Sequence, residues 1–216
     1  MDKPAPTLEL ERRLWSAGYR NIAGIDEAGR GALAGPVTAA AVIVPPERCD
    51  DAVWAAVRDS KLLAPGRRAE LAPAIEAAAL AWGVGWSSAA EIDRIGIAAA
   101  TRQAMLAALA ALAVRADYLL LDWVRLPAAG LPQHSQPKAD RAIVSVAAAS
   151  ILAKVHRDRC MVALDAEFPR YGFARHKGYG AAAHLAAIRA HGASPVHRSS
   201  FAPLAAPPLL ALEALG

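Results

Sequence analysis

The chain has 216 residues, enough for one α/β domain with a sizeable buried core. Hydrophobic residues make up 55% of it and the formal net charge is +4. It has no apolar run of the roughly 18 residues a membrane span needs, and the polar start MDKPAPTLELERR is no secretory leader. Cys49 and Cys160 match neither a disulfide framework nor a zinc spacing, so a reduced, cytoplasmic protein away from the membrane is expected.

Taken in order, the pattern starts with a short helix over Leu8 to Ala17, with Thr7 as its N-cap and Gly18 after its end. Asn21 to Ile25 reads as a strand ending at Asp26, and a glycine-rich turn from Gly29 to Gly35 leads to a second strand, Val37 to Val44. A helix is expected from Pro65 to about Ala81, and a strand from Trp82 to Ser87. Ser88 and Glu91 have capping-box spacing before a helix, and a longer helix covers Ile97 to about Arg115. The apolar run Tyr118 to Leu121 is of buried-strand type and ends at Asp122. Pro127 to Pro137 reads as a loop. Helices from Arg141 to about Glu167 and from Ala181 to His191 complete the pattern of a mixed sheet with helices packed on it.

Charge is unevenly spread. Between Lys138 and Phe201 there are 10 Lys/Arg against 4 Asp/Glu, with five of the six histidines. That asymmetry suits a surface facing a polyanion, although a solvated basic face has the same composition.

Asp26, Asp122 and Asp140 each stand at the end of an element, and loops at the carboxyl ends of strands are where α/β proteins place their sites. Together with Glu27 they would form a cluster of oxygen ligands, stable in ionised form only around a hard cation such as Mg²⁺ or Mn²⁺. Two such ions suit phosphodiester hydrolysis. Singly, each acid also fits a plainer part: a strand-to-turn junction, a strand end, a helix N-cap. Adjacent strand residues face opposite sides, so Asp26 and Glu27 share a site only if the strand breaks between them. Gly29 to Ala34 formally matches a dinucleotide fingerprint, but two carboxylates before the turn would repel a pyrophosphate, and Pro36 opposes the helix that motif must open.

The run from Ile22 to Val37, IAGIDEAGRGALAGPV, resembles the opening signature of the type 2 ribonuclease H family, bacterial ribonuclease HII. Matching blocks follow in order: Asp59 to Leu62, Glu91 to Arg94, the strand ending at Asp122, Lys138 to Asp140, Ser145 to Asp158, His176 to Gly180, and Pro195 to Phe201. The resemblance implies a ribonuclease H-like α/β fold, with a five-stranded mixed sheet flanked by helices. It implies one catalytic domain over 1–216, of which about 141–216 is a mainly helical, basic, substrate-binding extension. The implied activity is cleavage of RNA paired to DNA, and nicking 5′ to single ribonucleotides in duplex DNA, leaving 3′-hydroxyl and 5′-phosphate ends. By matching position, Asp26, Glu27, Asp122 and Asp140 correspond to the metal-binding carboxylates, Gly29, Arg30 and Gly31 to the loop that senses the 2′-hydroxyl, and Tyr179 to a tyrosine stacking on the adjoining sugar. The substrate would be an RNA–DNA hybrid or ribonucleotide-containing duplex, and a monomer is expected.

Lys61 is the best placed lysine for a phosphate contact. Asp158 shares a helix face with Ser150 and Lys154 and suits a buried structural pairing. His176 and His197 suit structural or solvent-facing parts. The chain departs from the family pattern at Trp123, where glycine is usual, at Ala181 for threonine and at Gly96 for asparagine. The nearest rival is a type 3 ribonuclease H, which lacks the Gly-Arg-Gly signature. A non-catalytic nucleic-acid binder leaves the gathered acids unexplained.

Overall fold

The computed structural model describes residues 5–205. Its elements are α1 (Glu9–Ser16), β1 (Ile22–Ala28), β2 (Val37–Ile43), α2 (Ala52–Ala56), α3 (Pro65–Ala78), β3 (Ala81–Ser87), α4 (Ala89–Ile95), α5 (Ile97–Ala110), β4 (Tyr118–Asp122), β5 (Gln133–Gln136), α6 (Val144–Glu167), α7 (Phe173–His176) and α8 (Ala182–His191). Five strands form one sheet in the order β3-β2-β1-β4-β5. β1, β2 and β3 pair antiparallel, whereas β4 lies parallel to both β1 and β5.

Both faces are covered, which is why β2 is a continuous small apolar run with every residue buried. Val42 and Ala40 pack towards α3 and α6, while Ile43, Ala41 and Ala39 pack with Met105, Ala104 and Ala108 of α5. The alanine-rich composition serves close approach. A Cβ on Gly24 would meet the Ser145 backbone carbon at 2.2 Å, so α6 crosses β1 almost in backbone contact.

Several expectations need correction. The loop Pro127 to Pro137 contains β5, a polar edge strand whose sequence QHSQ shows no apolar alternation because little of it is buried. The long helix begins at Val144, and Asp140 instead lies in a 3-10 turn, Ala139–Arg141. α5 ends at Ala110, short of Arg115. α1 starts one residue later than expected, at Glu9; Thr7 Oγ1 still accepts the Glu9 amide, at a long 3.5 Å, while the Thr7 backbone pairs with Ala142 and Val144. β1 does not break at Asp26, since Asp26, Glu27 and Ala28 keep register with Ala40, Ala39 and Thr38. Among the described residues no helix is long and apolar enough to cross a membrane. Of the tail from Ala202 to Gly216, residues 206–216 lie outside the described part.

Candidate active site

β1 and β4 stop pairing at Ile25 and Leu121, so the next residues of each, Asp26 and Asp122, lie side by side at the end of the parallel ladder. Asp26 is 5% exposed and its Oδ1 accepts the Glu27 amide at 2.8 Å. Glu27 is the next residue of the strand; its charge raises the Asp26 carboxyl, and the charge of Asp122 raises Glu27 in turn.

Asp122 Oδ1 accepts the Ala139 amide at 2.8 Å, which fastens the 3-10 turn carrying Asp140 beside the strand end. Asp140 is buried, and Lys61 Nζ stands 3.8 Å from its Oδ2. Burial, then Asp59 and Asp122, push the Asp140 carboxyl up to about 6 despite Lys61. Burial and the charge of Glu27, with Asp122 and Asp140 behind them, hold Asp26 well above the usual carboxylate range. Burial raises Glu27 as well, against the lowering effect of Arg30, whose Nη1 is 3.4 Å from Glu27 Oε1. The Lys61 ammonium is pulled down by burial but pushed above its ordinary value by Asp140, Asp26, Asp59 and Asp122.

Among the described residues no three Asp, Glu, His or Cys side chains already converge as a finished metal-binding set. The donor chemistry nevertheless fits a hard divalent cation: the carboxylates are all oxygen donors that raise one another's proton affinity, and Glu27 Oε2 is buried with no hydrogen-bond partner.

Sequence reasoning missed three residues that build this site. Asp59, 1% exposed, accepts the Lys61 amide at 2.9 Å and pairs with Arg141 Nε at 3.1 Å, joining the Lys61 turn to the Asp140 turn. Arg157 is fully buried and donates to the carbonyls of Pro36, Lys177 and Ala34 at 2.9, 3.0 and 3.1 Å. Arg198, equally buried, donates to the carbonyls of Gly35 and Arg30. These guanidiniums supply charge-assisted donors to carbonyls that the Gly29–Pro36 turn leaves without a ladder. Their only sequence signal was lying within the matching blocks.

The same arginines bring the second loop close. Leu33 and Ala34 donate their amides to the Gly178 carbonyl, and the Tyr179 ring lies 5.3 Å from Arg157 Cζ and 5.6 Å from Lys154 Nζ. Gly29 has φ +89°, and a Cβ on it would meet Arg157 Nε at 1.9 Å; Gly31 has open space around it.

His176 and His197 are structural, with His184 between them. The Ser194 amide donates to His197 Nδ1, so the His197 proton sits on Nε2 and points at His184 Nε2, 3.0 Å away. His184 Nδ1 then donates to the Tyr179 carbonyl at 2.9 Å. Burial, followed by His184, pushes His197 down to about 4, which keeps this chain neutral. Asp158 pairs with Lys154 at 2.8 Å as expected, but the pair is only partly buried.

A cluster of carboxylates at the carboxyl end of a parallel pair within a five-stranded mixed sheet, flanked by a glycine turn and a basic helical region, defines a nuclease of ribonuclease H type. The comparisons agree. The ribonuclease HII family profile matches residues 23–204. Ribonuclease HII of Geobacillus thermodenitrificans is 54% identical over 197 residues, covering 91% of this chain and 74% of that one. That of Thermus thermophilus is 50% identical, covering 95% and 97%. The crystal structure of ribonuclease H2 from Pyrococcus horikoshii superimposes with a TM-score of 0.72 at 26% identity, covering 85% of this chain and 95% of that one. The chain belongs to the ribonuclease HII family and is a phosphodiester hydrolase of ribonuclease H type.

Proposed function

We propose that this chain works as one catalytic domain that cleaves the RNA strand of RNA–DNA hybrids and nicks duplex DNA 5′ to single embedded ribonucleotides. The observation that supports the reading is that the charges of Glu27, Asp122 and Asp140 all raise the Asp26 carboxyl, beside a glycine turn whose Leu33 and Ala34 amides bond the Gly178 carbonyl of the Tyr179 loop. Four acids facing a polyanion would weaken binding unless cations screened them. Two Mg²⁺ or Mn²⁺ ions held by these carboxylates would activate a water and stabilise the leaving 3′-oxygen.

The remaining work falls to this chain's own groups. Gly31 leaves room for a sugar to approach the backbone, Arg30 supplies charge beside it, and the pair distinguishes ribose from deoxyribose at the 2′-hydroxyl. Tyr179, about a third exposed, offers its ring to the next sugar. Lys61 neutralises the phosphate next to Asp140. Arg68, Lys154, Arg159, Arg175 and Lys177 line a groove between α3, α6 and α7 that suits the flanking duplex. The test is a DNA duplex carrying one ribonucleotide, incubated with Mg²⁺ and separately with Mn²⁺. A nick on its 5′ side leaving a 3′-hydroxyl is expected, and no nick with either ion would refute the reading.

A further inference from the structure

Trp123 directly follows Asp122 and is 67% exposed, more than any other large hydrophobic side chain among the described residues. Its backbone is left-handed, φ 60°, a conformation that suits glycine and opposes a bulky residue. Two hydrogen bonds hold the turn: the Trp123 amide donates to the Gln136 carbonyl at 3.1 Å and the Val124 amide to the Asp122 carbonyl at 2.6 Å. An exposed indole on a strained backbone serves neither core nor turn. Such an outlier beside a catalytic carboxylate points to contact with a ligand.

The residue opens on a cavity of about 250 Å³ whose walls include Arg30, Thr101, Arg102 and Arg125. No acidic side chain lines it, and among the described residues Arg102 and Arg125 form no ion pair. Arg102 Nε reaches the Arg125 carbonyl at 3.4 Å, which brings the two arginines to one rim. Arg30 belongs both to this cavity and to the Gly29–Gly31 turn, so the two recognition surfaces are continuous. An apolar plane flanked by unpaired guanidiniums is chemistry suited to a sugar–phosphate unit.

We propose that this cavity is a second nucleotide subsite. The indole of Trp123 packs on the sugar of a nucleotide flanking the cleaved bond, and Arg102 and Arg125 hold its phosphates. The proposal rests on the nuclease reading above and adds a contact on the Asp122 side of the cleavage site, separate from the Tyr179 loop.

The test compares wild type with Trp123→Gly, Trp123→Phe and Arg125→Ala in steady-state nicking of the single-ribonucleotide duplex at several salt concentrations. Trp123→Gly should raise KM by about tenfold, the scale of one aromatic–nucleotide contact, with kcat within about twofold. Its thermal stability should equal or exceed that of wild type, since glycine relieves the turn. Trp123→Phe should keep KM near wild type. Arg125→Ala should raise KM and lower the salt slope by about one. Wild-type KM in both Trp123→Gly and Arg125→Ala overturns the subsite while leaving the nuclease intact. A fall in kcat alone for Trp123→Gly also overturns it, by assigning Trp123 to the support of Asp122. Failure of the wild type to nick removes the nuclease reading itself, and the subsite with it.

Discussion

Gly29→Ala should be among the most damaging single methyl groups this chain can receive. The left-handed backbone at residue 29 costs an alanine roughly 1–2 kcal/mol. The new Cβ would also stand 1.9 Å from Arg157 Nε, so the buried guanidinium must move. That guanidinium holds three carbonyls, and each charge-assisted bond broken in a buried setting forfeits about 1.5–3 kcal/mol. Loss of one such bond together with the backbone term gives about 2.5–5 kcal/mol, a large part of the 5–15 kcal/mol typical of a domain. Gly31→Ala is the internal control, because its Cβ meets nothing within 4 Å. It should change stability by less than about 0.5 kcal/mol and act on KM alone, where the methyl would crowd the substrate sugar. Urea unfolding of both variants, paired with nicking kinetics, reads the two effects separately. Gly29→Ala within 1 kcal/mol of wild type, or Gly31→Ala equally destabilised, would show that Arg157 does not anchor this turn.

Asp122→Asn should cut kcat at least about a thousandfold while leaving duplex binding within about threefold, as gel-shift titration without divalent ions would show. Asp140→Asn should stabilise the metal-free protein by about 1–2 kcal/mol, because it removes repulsion within the cluster, and should reduce the stabilisation that added Mn²⁺ gives in thermal melts. The pH dependence follows from the raised Asp140. An acid that binds its proton more tightly when folded contributes stability at low pH that is lost as pH rises from near 4 through about 6. His184 and His197, both lowered, act in the opposite sense over the same range, so the wild-type profile mixes the two. The stability difference between wild type and Asp140→Asn isolates the Asp140 part, and should narrow as pH falls from 7 to 4. Tyr179→Ala should raise KM for the single-ribonucleotide duplex by about tenfold, and His184→Phe should approach the same effect by releasing the Tyr179 carbonyl. Additive losses in the double variant would show that His184 does not act through Tyr179.

The parts legible in the sequence were those written in local pattern. β2 and β4 announce themselves because both faces of the sheet are covered, and Asp26 and Asp122 stand out because apolar runs stop at them. β5 was illegible: an edge strand with polar, half-exposed residues carries no period-two signal. Asp59 could not be ranked because its partner Arg141 lies 82 residues away. Arg157 and Arg198 were hidden in a composition where arginine is abundant, and only tertiary packing separates a buried guanidinium from a solvated one. The alternation of strand side chains led to the expectation that β1 must break for Asp26 and Glu27 to share a site, whereas β1 runs on in register through both.

Helix α6 has a mechanical consequence. Its first turns lie against Gly24 and follow the Asp140 turn, while Arg157, 13 residues beyond Val144, fastens the glycine turn and the Tyr179 loop. At about 1.5 Å per residue this is a rod about 20 Å long, with the Asp140 turn at one end and the glycine turn and Tyr179 loop secured along it. The spacing of these parts is then fixed by a helix that cannot stretch, so under the proposed function the distance between cutting and reading groups is set before any substrate arrives.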